Sequence, residues 1–372
     1  MAGVTASLLT PVARGAIASV GVAGPGSVEL VGRLFRPASG RPLESCPVGR
    51  IVFGHWASGE ELVVCRREEN LVEVHCHGGQ AAPAAVLDSL AAAGAKIIDW
   101  PAWIRMREHD SIAADALVAL ADARTYRTAT ILLDQYHGAL RQALEAVRHD
   151  LHAGQTELAT EKVRRLLSHA DVGRHLTSPY RVVLTGRPNV GKSSLINALV
   201  GYRRAIVNET PGTTRDLVTA QAVLDGWPVE LTDTAGIRQS EDELEAAGVE
   251  LARRRFGSAD LVIVLFDGSL PWTTEDQELR EALPNALAVL SKCDLARRLP
   301  GDVTGLSVST VTGEGLRELE AETTRRLVPN PPAPGAAVPF NERHLAVLSD
   351  VLMLLQANDT STARDEIAQL LA

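Results

Sequence analysis

The stretch RVVLTGRPNVGKSSLIN, residues 181–197, decides the fold of the chain around it. Its apolar first part, residues 181–185, predicts a buried β-strand, and residues 192–200 are compatible with a helix. Between them, GRPNVGKS (residues 186–193) fits the phosphate-binding loop pattern. Glycines let backbone N–H groups approach a phosphate, and the helix N-terminus adds partial positive charge. The stretch therefore predicts a nucleoside triphosphate site in an α/β domain.

Each position of this loop has an expected role. Lys192 is predicted to reach the β- and γ-phosphates, and the Ser193 hydroxyl to ligate Mg²⁺. The other loop residues predicted to contact the nucleotide are Gly186, Asn189, Val190, Gly191 and Ser194.

Composition limits the function classes. A length of 372 residues predicts two or three domains, and 45% hydrophobic residues supply their cores. A net charge of −9 argues against broad, non-specific nucleic-acid binding but leaves room for a local basic patch that contacts a structured RNA. Four scattered cysteines suggest a reducing compartment and no zinc site. With neither a membrane-spanning run nor a convincing signal peptide, we expect a cytoplasmic protein without membrane contact.

Strands alternate with helices in the N-terminal part. Residues 16–23, 71–77 and 96–100 are expected strands; residues 28–35, capped by Ser27, and 81–93 are expected helices. This order predicts a small α/β domain. His75 and His77 lie on the same side of one strand, which permits a metal site, but packed or hydrogen-bonded histidines are the favoured interpretation because no third ligand is evident.

The middle of the chain is helical in character. Residues 111–170 predict one shorter and one long amphipathic helix, with breaks near the glycines. Their apolar stripe needs a cover, for which residues 343–355 and 363–371 are candidates. The phosphate-binding domain would then be inserted in a helical domain, with the Pro-rich residues 329–334 as a linker. The expected domains are an N-terminal domain (1–108), helical parts (109–176 and 331–372) and the inserted domain (177–330).

Four further stretches indicate which nucleotide binds: TTRD, DTAG, SKCD (residues 291–294) and the pair at residues 309–310. Thr214 in TTRD (residues 213–216) and the carboxylate of DTAG (residues 233–236) are expected to complete the Mg²⁺ site. The Asp294 carboxylate of SKCD can accept hydrogen bonds from guanine N1 and N2, which adenine cannot supply, so GTP is expected. The further predicted GTP contacts are Thr213, Asp233, Gly236, Ser291, Lys292, Ser309 and Thr310.

The position after DTAG carries Ile237, whereas many GTPases place there a glutamine that orients the attacking water. Water positioning must then come from another group. Asn189 is similar to the loop asparagine of GTPases that recruit K⁺ in place of an arginine finger. The alternative, that Asn189 only shapes the loop, stays open.

Together these motifs resemble those of the translation-factor-like GTPases. LVEVHCHGG (residues 71–79), ADALVALADARTYRTA (residues 114–129) and IRQSEDELE (residues 237–245) further resemble the tRNA modification GTPase MnmE family. The resemblance implies an N-terminal α/β dimerisation domain, and a homodimer whose GTPase domains meet with the help of K⁺. It also implies a catalytic Glu245 that orients water, alongside Asn189 and Lys192, and an FAD-dependent MnmG-like partner for modifying tRNA wobble uridines.

Some features depart from that family. Ser291 replaces the usual asparagine of its motif, and no cysteine follows Cys293, so we expect a divergent member without the C-terminal cysteine motif and with a shortened last helical part. Residues 66–70 and 101–110 differ where the family binds folate, so folate use is left open. The function classes considered are a tRNA modification GTPase, a GTP-switched binding module that has lost the modification activity, and a small-molecule kinase, which the motifs disfavour.

Overall fold

A computed structural model describes residues 3–11, 15–202, 219–233, 257 and 259–372. The chain divides into two compact units, Met1–His109 and Asp110–Ala372. The predicted site residues Thr213, Thr214, Gly236 and Glu245, together with Ile237, lie outside the described residues.

The N-terminal unit is built on a seven-stranded sheet with the order β3-β4-β5-β6-β2-β1-β7. Neighbouring strands are antiparallel except β1 and β7, which are parallel. The strands are β1 (Thr5–Leu8), β2 (Ile17–Ala23), β3 (Phe35–Pro37), β4 (Ile51–Trp56), β5 (Glu61–Glu68), β6 (Leu71–His77) and β7 (Lys96–Ile97). The sheet therefore contains the predicted strand 71–77 at its centre.

Three helices accompany this sheet: α1 (Ser27–Leu34), α2 (Ala81–Ala92) and α3 (Trp100–Arg107), with a 3₁₀ turn at Leu43–Ser45. The valines that alternate along β2 and β6 are buried in one core with Val86 and Leu90 of α2. Trp103 of α3 packs against Gly21, where a Cβ atom would come within 2.4 Å of the indole ring. Successive side chains of a strand point to opposite faces of the sheet. The valines therefore lie on one face, and the small or polar residues between them lie on the other.

Two local predictions in this unit are wrong. The strand expected over residues 96–100 ends at Ile97, because the Asp99 side chain accepts a hydrogen bond from the Ala102 N–H (2.8 Å) and caps α3. Ser27 does not cap α1 but is its first, fully buried residue, and Gly26 occupies the cap position with φ of 86°.

The second unit begins with five helices, whereas the sequence predicted two. They are α4 (Ser111–Leu120), α5 (Tyr126–Tyr136), α6 (Ala139–His152), α7 (Thr156–Leu167) and α8 (Ala170–Arg174). The expected breaks at Gly138 and Gly154 are present, each with positive φ. An additional break precedes Thr125, which caps α5 through a reciprocal capping box with Thr128.

A six-stranded sheet follows, with the order β13-β12-β11-β8-β10-β9. All its neighbouring strands are parallel except β9 and β10, which form the predicted hairpin about Asp225 and Gly226. The strands are β8 (Tyr180–Gly186), β9 (Thr219–Leu224), β10 (Trp227–Asp233), β11 (Leu261–Asp267), β12 (Leu287–Ser291) and β13 (Leu306–Val308). The helices are α9 (Lys192–Tyr202), α10 (Thr274–Ala282) and α11 (Leu316–Leu327).

The chain then returns to the first helices. α12 (Glu342–Gln356) packs on α7, and α13 (Thr360–Leu371) packs on α6 and α4. Arg141 of α6 fixes this return, since it donates to the Leu371 carbonyl (3.0 Å) and pairs with Asp110 (2.5 Å). The helices before and after the six-stranded sheet thus share one apolar core.

No helix of the described residues is long and apolar enough to cross a membrane.

Candidate nucleotide site

The loop between β8 and α9 lies at the carboxyl ends of the parallel strands, where ligands of α/β sheets bind. Gly186, Asn189 and Gly191 all have positive φ, at 147°, 63° and 103°. A Cβ atom on Gly186 would lie 2.5 Å from the Leu265 carbonyl oxygen of β11. Only glycine therefore fits at Gly186, where the chain leaves the sheet and turns into the loop.

Lys192 is buried at the first turn of α9 and is bound to the loop that precedes it. Its Nζ donates to the carbonyl oxygens of Gly186 (2.9 Å) and Arg187 (3.0 Å). The ammonium is thereby held against the backbone that would surround the phosphates. This placement is compatible with the phosphate-binding role predicted from the sequence.

The two described residues predicted to hold Mg²⁺ are in direct contact. The Ser193 hydroxyl donates to Oδ2 of Asp233 (2.9 Å). Asp233 ends β10, which pairs in parallel with β8, and its carboxylate is only 3% exposed. A hydroxyl and a carboxylate are hard oxygen ligands of the kind that Mg²⁺ takes, so this pair fits the ion.

Arg187, a loop residue that the sequence analysis did not select, connects the loop to α10. Its guanidinium contacts the Thr273 hydroxyl (3.1 Å), Asp276 (3.2 Å) and Glu275 (3.2 Å). Thr273 and Asp276 form the capping box of that helix. Since the Arg187 carbonyl also accepts the Lys192 hydrogen bond, the side chain of Arg187 helps to position the phosphate-binding lysine.

The predicted base-binding residues surround a cavity of about 240 Å³ next to the loop. Ser291, Lys292, Asp294 and Thr310 line it, together with the loop residues Val190, Gly191 and Ser194. The Asp294 carboxylate is exposed at this cavity, so it can meet a polar edge of a base. The structure thus brings these seven predicted contact residues to one place.

Ser291 is buried at the end of β12. Its hydroxyl lies 2.7 Å from the Val190 carbonyl oxygen and 3.1 Å from that of Phe266. The single hydroxyl proton is donated to one of them or shared. The serine therefore fastens the phosphate loop to β11 and β12.

Lys292 and Asp267 form a second fastening that the sequence analysis missed. Lys292 Nζ donates to Asp267 Oδ2 (2.6 Å) and to the Asn189 carbonyl (3.2 Å). Burial opposes ionisation of Asp267, but hydrogen bonds from Lys292 and Ser269 outweigh it and lower the pKa of that carboxyl. The available signal was the Asp-Gly pair that directly follows the predicted strand 261–266.

Ser309 has a different position from the one its predicted role suggests. It is fully buried, and its hydroxyl accepts hydrogen bonds from the N–H groups of Val311 and Thr312, both at 3.2 Å. Ser309 therefore shapes the turn, while its neighbour Thr310 lines the cavity.

The histidines of β6 are hydrogen-bonded. His75 Nδ1 lies 2.8 Å from the Ser19 hydroxyl, and His77 Nδ1 lies 2.5 Å from Glu60. Within the described ranges, no group of three or more His, Cys, Asp or Glu side chains could hold a metal ion. These contacts agree with the favoured interpretation of hydrogen-bonded side chains.

Comparison with known proteins places this site in context. A family model described as a 50S ribosome-binding GTPase matches residues 181–292. The chain is 36% identical over 364 residues to the tRNA modification GTPase MnmE of Synechococcus sp. (strain RCC307), covering 85% of this chain and 79% of that protein. It is 31% identical over 423 aligned residues to the protein of the same name from Geobacter sulfurreducens, covering 99% and 91%.

Proposed function

The chain belongs to the tRNA modification GTPase MnmE family, and from that membership we propose how its own residues bind and hydrolyse GTP. It is a GTPase involved in tRNA modification. The observation that supports the site assignment best is the contact between Ser193 and Asp233 beside the buried Lys192. Each of these groups matches a part that phosphoryl transfer needs.

At the phosphate end, backbone N–H groups of residues 186–193 would surround the β- and γ-phosphates, and Lys192 would exchange its loop carbonyls for phosphate oxygens. Ser193, Asp233 and Thr214 would hold Mg²⁺. The ion supplies neutralisation of the charge that develops on the phosphate oxygens.

At the base end, Asp294 would accept hydrogen bonds from guanine N1 and N2, and Lys292 would pack over the ring. The cavity is compatible with this arrangement because Asp294 is exposed at it and the strand ends supply apolar walls, including Leu265 and Val289. Because ATP cannot donate both hydrogen bonds to Asp294, it should bind far more weakly.

Hydrolysis would depend on K⁺ held by Asn189 when two GTPase domains meet, with Glu245 orienting the water in place of the missing glutamine. K⁺ would supply the charge that an arginine finger supplies elsewhere, worth about a thousandfold or more in rate. Turnover should be fast in potassium and slow in sodium, and Asn189→Ala should abolish the difference. Equal wild-type rates in both salts would leave Asn189 as a loop former.

The wider assembly is also a proposal. The domains 1–108, 109–176, 177–330 and 331–372, a homodimer formed through residues 1–108, and an FAD-dependent partner follow from the family resemblance. Sedimentation of the full chain tests the dimer, since a strictly monomeric protein at micromolar concentration contradicts it.

Mass spectrometry of wobble uridines tests the tRNA role. A deletion strain should lose the modification, and the wild-type gene, but not the Asp233→Asn variant, should restore it. Full modification in the deletion strain would instead favour the GTP-switched binding module. Folate remains open and is tested by direct titration of tetrahydrofolate.

A further inference from the structure

We propose that a cavity in the helical part of the second unit binds a phosphate group, and that the source of this phosphate is the RNA substrate. The cavity has a volume of about 410 Å³ and lies between α6, α7 and the turn at residues 335–337. This volume is in the range of small-ligand sites. The choice of RNA as the source rests on the proposed role in tRNA modification. The proposal that the cavity binds a phosphate group does not depend on that role.

The room in this cavity comes from small residues. Ala139, Ala143 and Ala146 line it on α6, and Gly335, Ala336 and Ala337 line it on the turn. Larger side chains on these positions would fill the space. The apolar core of α6 faces elsewhere, through Leu140, Leu144 and Val147, which are fully buried.

The wall opposite α6 is firmly built although it belongs to a Pro-rich connection. Gln135 is fully buried, donates to the Ala336 carbonyl (3.0 Å) and accepts from the Val338 N–H (3.1 Å). The Gly335 N–H donates to Asp134 (2.9 Å). Because these bonds fix the turn on α5, the cavity is a preformed feature of the fold.

The polar groups of the cavity suit an anion. Lys162 and Arg165 line it from α7, and His169 lines it from the short connection between α7 and α8. No aspartate or glutamate lines the cavity within the described part of the chain. Because the chain has a net charge of −9, a site lined by cationic groups and by no carboxylate differs from its average surface.

The three groups are not equivalent. Lys162 pairs with the buried Asp150 (2.6 Å), which offsets its charge. His169 Nδ1 lies 3.3 Å from the Ala337 carbonyl, to which it can only donate, so Nε2 of the neutral imidazole is an acceptor and offers an anion no N–H. Among the described residues, the guanidinium of Arg165 has no ion pair or hydrogen bond. Arg165 is therefore the group whose charge is available, and arginine matches phosphate oxygens in a bidentate way.

The chain offers a matched control for this arginine. Arg164 is the adjacent exposed residue of α7 but does not line the cavity. Arg165→Gln and Arg164→Gln remove the same charge from the same helix. Ala146→Leu fills the cavity without changing charge. Lys162 is left intact, because its removal would strand the buried Asp150 carboxylate.

Binding of a labelled tRNA transcript to the full chain, measured by fluorescence anisotropy from 50 to 200 mM salt, tests the proposal. Arg165→Gln should weaken binding about tenfold, the effect of losing one charge-assisted hydrogen bond. The slope of log affinity against log salt should fall by about one. Ala146→Leu should weaken binding but change the salt slope less than Arg165→Gln does. Arg164→Gln should have the smallest effect on the affinity and on the slope. Thermal unfolding and GTP turnover show that each variant is folded.

A second arm distinguishes the source of the phosphate. CMP, which the guanine site should reject, is titrated calorimetrically with excess GDP and Mg²⁺ present. CMP binding that Arg165→Gln abolishes, with unchanged tRNA affinity, would support the phosphate site and overturn RNA as its source. Equal losses for Arg164→Gln and Arg165→Gln in both measurements, or no loss for either variant in either measurement, would overturn the site itself. Wild-type turnover of GTP and intact wobble modification in these outcomes would leave the proposed function standing.

Discussion

The two ends of the nucleotide site are built by different means. At the phosphate end, the geometry is a property of the backbone: Gly186 and Gly191 have φ angles that favour glycine, and the loop carbonyls bind Lys192. At the base end, side chains hold the pieces together, through the Ser291 hydroxyl and the pair of Lys292 with Asp267.

This difference predicts which positions of the site tolerate substitution. A backbone conformation that needs glycine tolerates no other residue without strain, as at Gly186 and Gly191 of the phosphate loop. A hydrogen bond from a side chain needs only a donor group that is long enough to contact the backbone carbonyl. Ser291 supplies one hydroxyl to the Val190 and Phe266 carbonyls, so a serine can occupy the asparagine position without releasing the loop. Substitutions at the phosphate end should therefore have larger effects than those at the base end.

The largest effect is expected for Gly186→Ala. The added Cβ atom would lie 2.5 Å from the backbone oxygen of Leu265 at a φ of 147°, so β8 and β11 would have to separate. We expect a loss of about 3 kcal/mol or more in unfolding free energy and no measurable GTP binding. Chemical denaturation and binding of a fluorescent GDP analogue measure both.

Gly201→Ala is the matched control, because a Cβ atom there, in the last turn of α9, would meet no described atom within 4 Å. It should be neutral or stabilise the protein by up to about 1 kcal/mol. Equal losses for both variants would show that the phosphate end is not limited by the backbone of Gly186.

Asp233→Asn should have the next largest effect. The variant keeps the shape of a side chain that is 3% exposed but removes the negative charge beside the Ser193 hydroxyl. Magnesium-dependent GTP turnover should fall about a thousandfold, while GDP binding in EDTA changes little. Asp302→Asn, at an exposed carboxylate of the same unit, is the control. Unchanged turnover in Asp233→Asn would remove this residue from the metal site.

Asp294→Asn comes third and tests the base end. Loss of two hydrogen bonds to a charged acceptor should weaken GTP binding about a hundredfold. Xanthosine triphosphate should bind better than GTP, since its base presents an acceptor where guanine presents an amino group. Calorimetry measures both affinities. Equal affinity of the wild-type chain for ATP and GTP would contradict the assignment of Asp294.

The parts of this architecture that could be predicted are those specified by local sequence. The strands 181–185, 261–266 and 288–290 and the hairpin about Asp225 are confirmed, because turn residues and short apolar runs mark them. The P-loop GTPase fold class is likewise confirmed. The break before Thr125 was missed since it carries neither glycine nor proline and depends on a capping box.

The contacts that were missed join residues far apart in the chain. Arg187 meets Glu275 and Asp276, and Asp267 meets Lys292, only after the parallel strands are in order. Neither the hydrophobic periodicity nor the spacing of residues in the sequence indicates such pairs. The strands β3, β4 and β5 were missed too. In β4 the outward-facing Ile51 and Phe53 are apolar but exposed, so the sequence shows no alternation of apolar and polar residues there.

The smallest effect is expected for Ser291→Ala. The variant removes the hydroxyl group that contacts the buried carbonyls of Val190 and Phe266. Loss of a hydrogen bond to a buried acceptor costs about 1–3 kcal/mol, and water that enters beside the acceptor offsets part of this cost. We expect GTP affinity to fall about tenfold and the unfolding temperature to fall by a few degrees. Calorimetric titration and a thermal scan give the two values.

Two further variants decide whether the hydroxyl is responsible. Ser291→Thr keeps the hydroxyl and should retain most of the affinity, because threonine suits the strand position at the end of β12. Ser307→Ala, on the exposed face of the neighbouring β13, should change neither value. If Ser291→Ala instead abolished binding, as is expected for Gly186→Ala, the side-chain contact at the base end would be as demanding as the backbone of the phosphate loop. The contrast between the two ends would then fail, because a single side-chain bond would control the whole site.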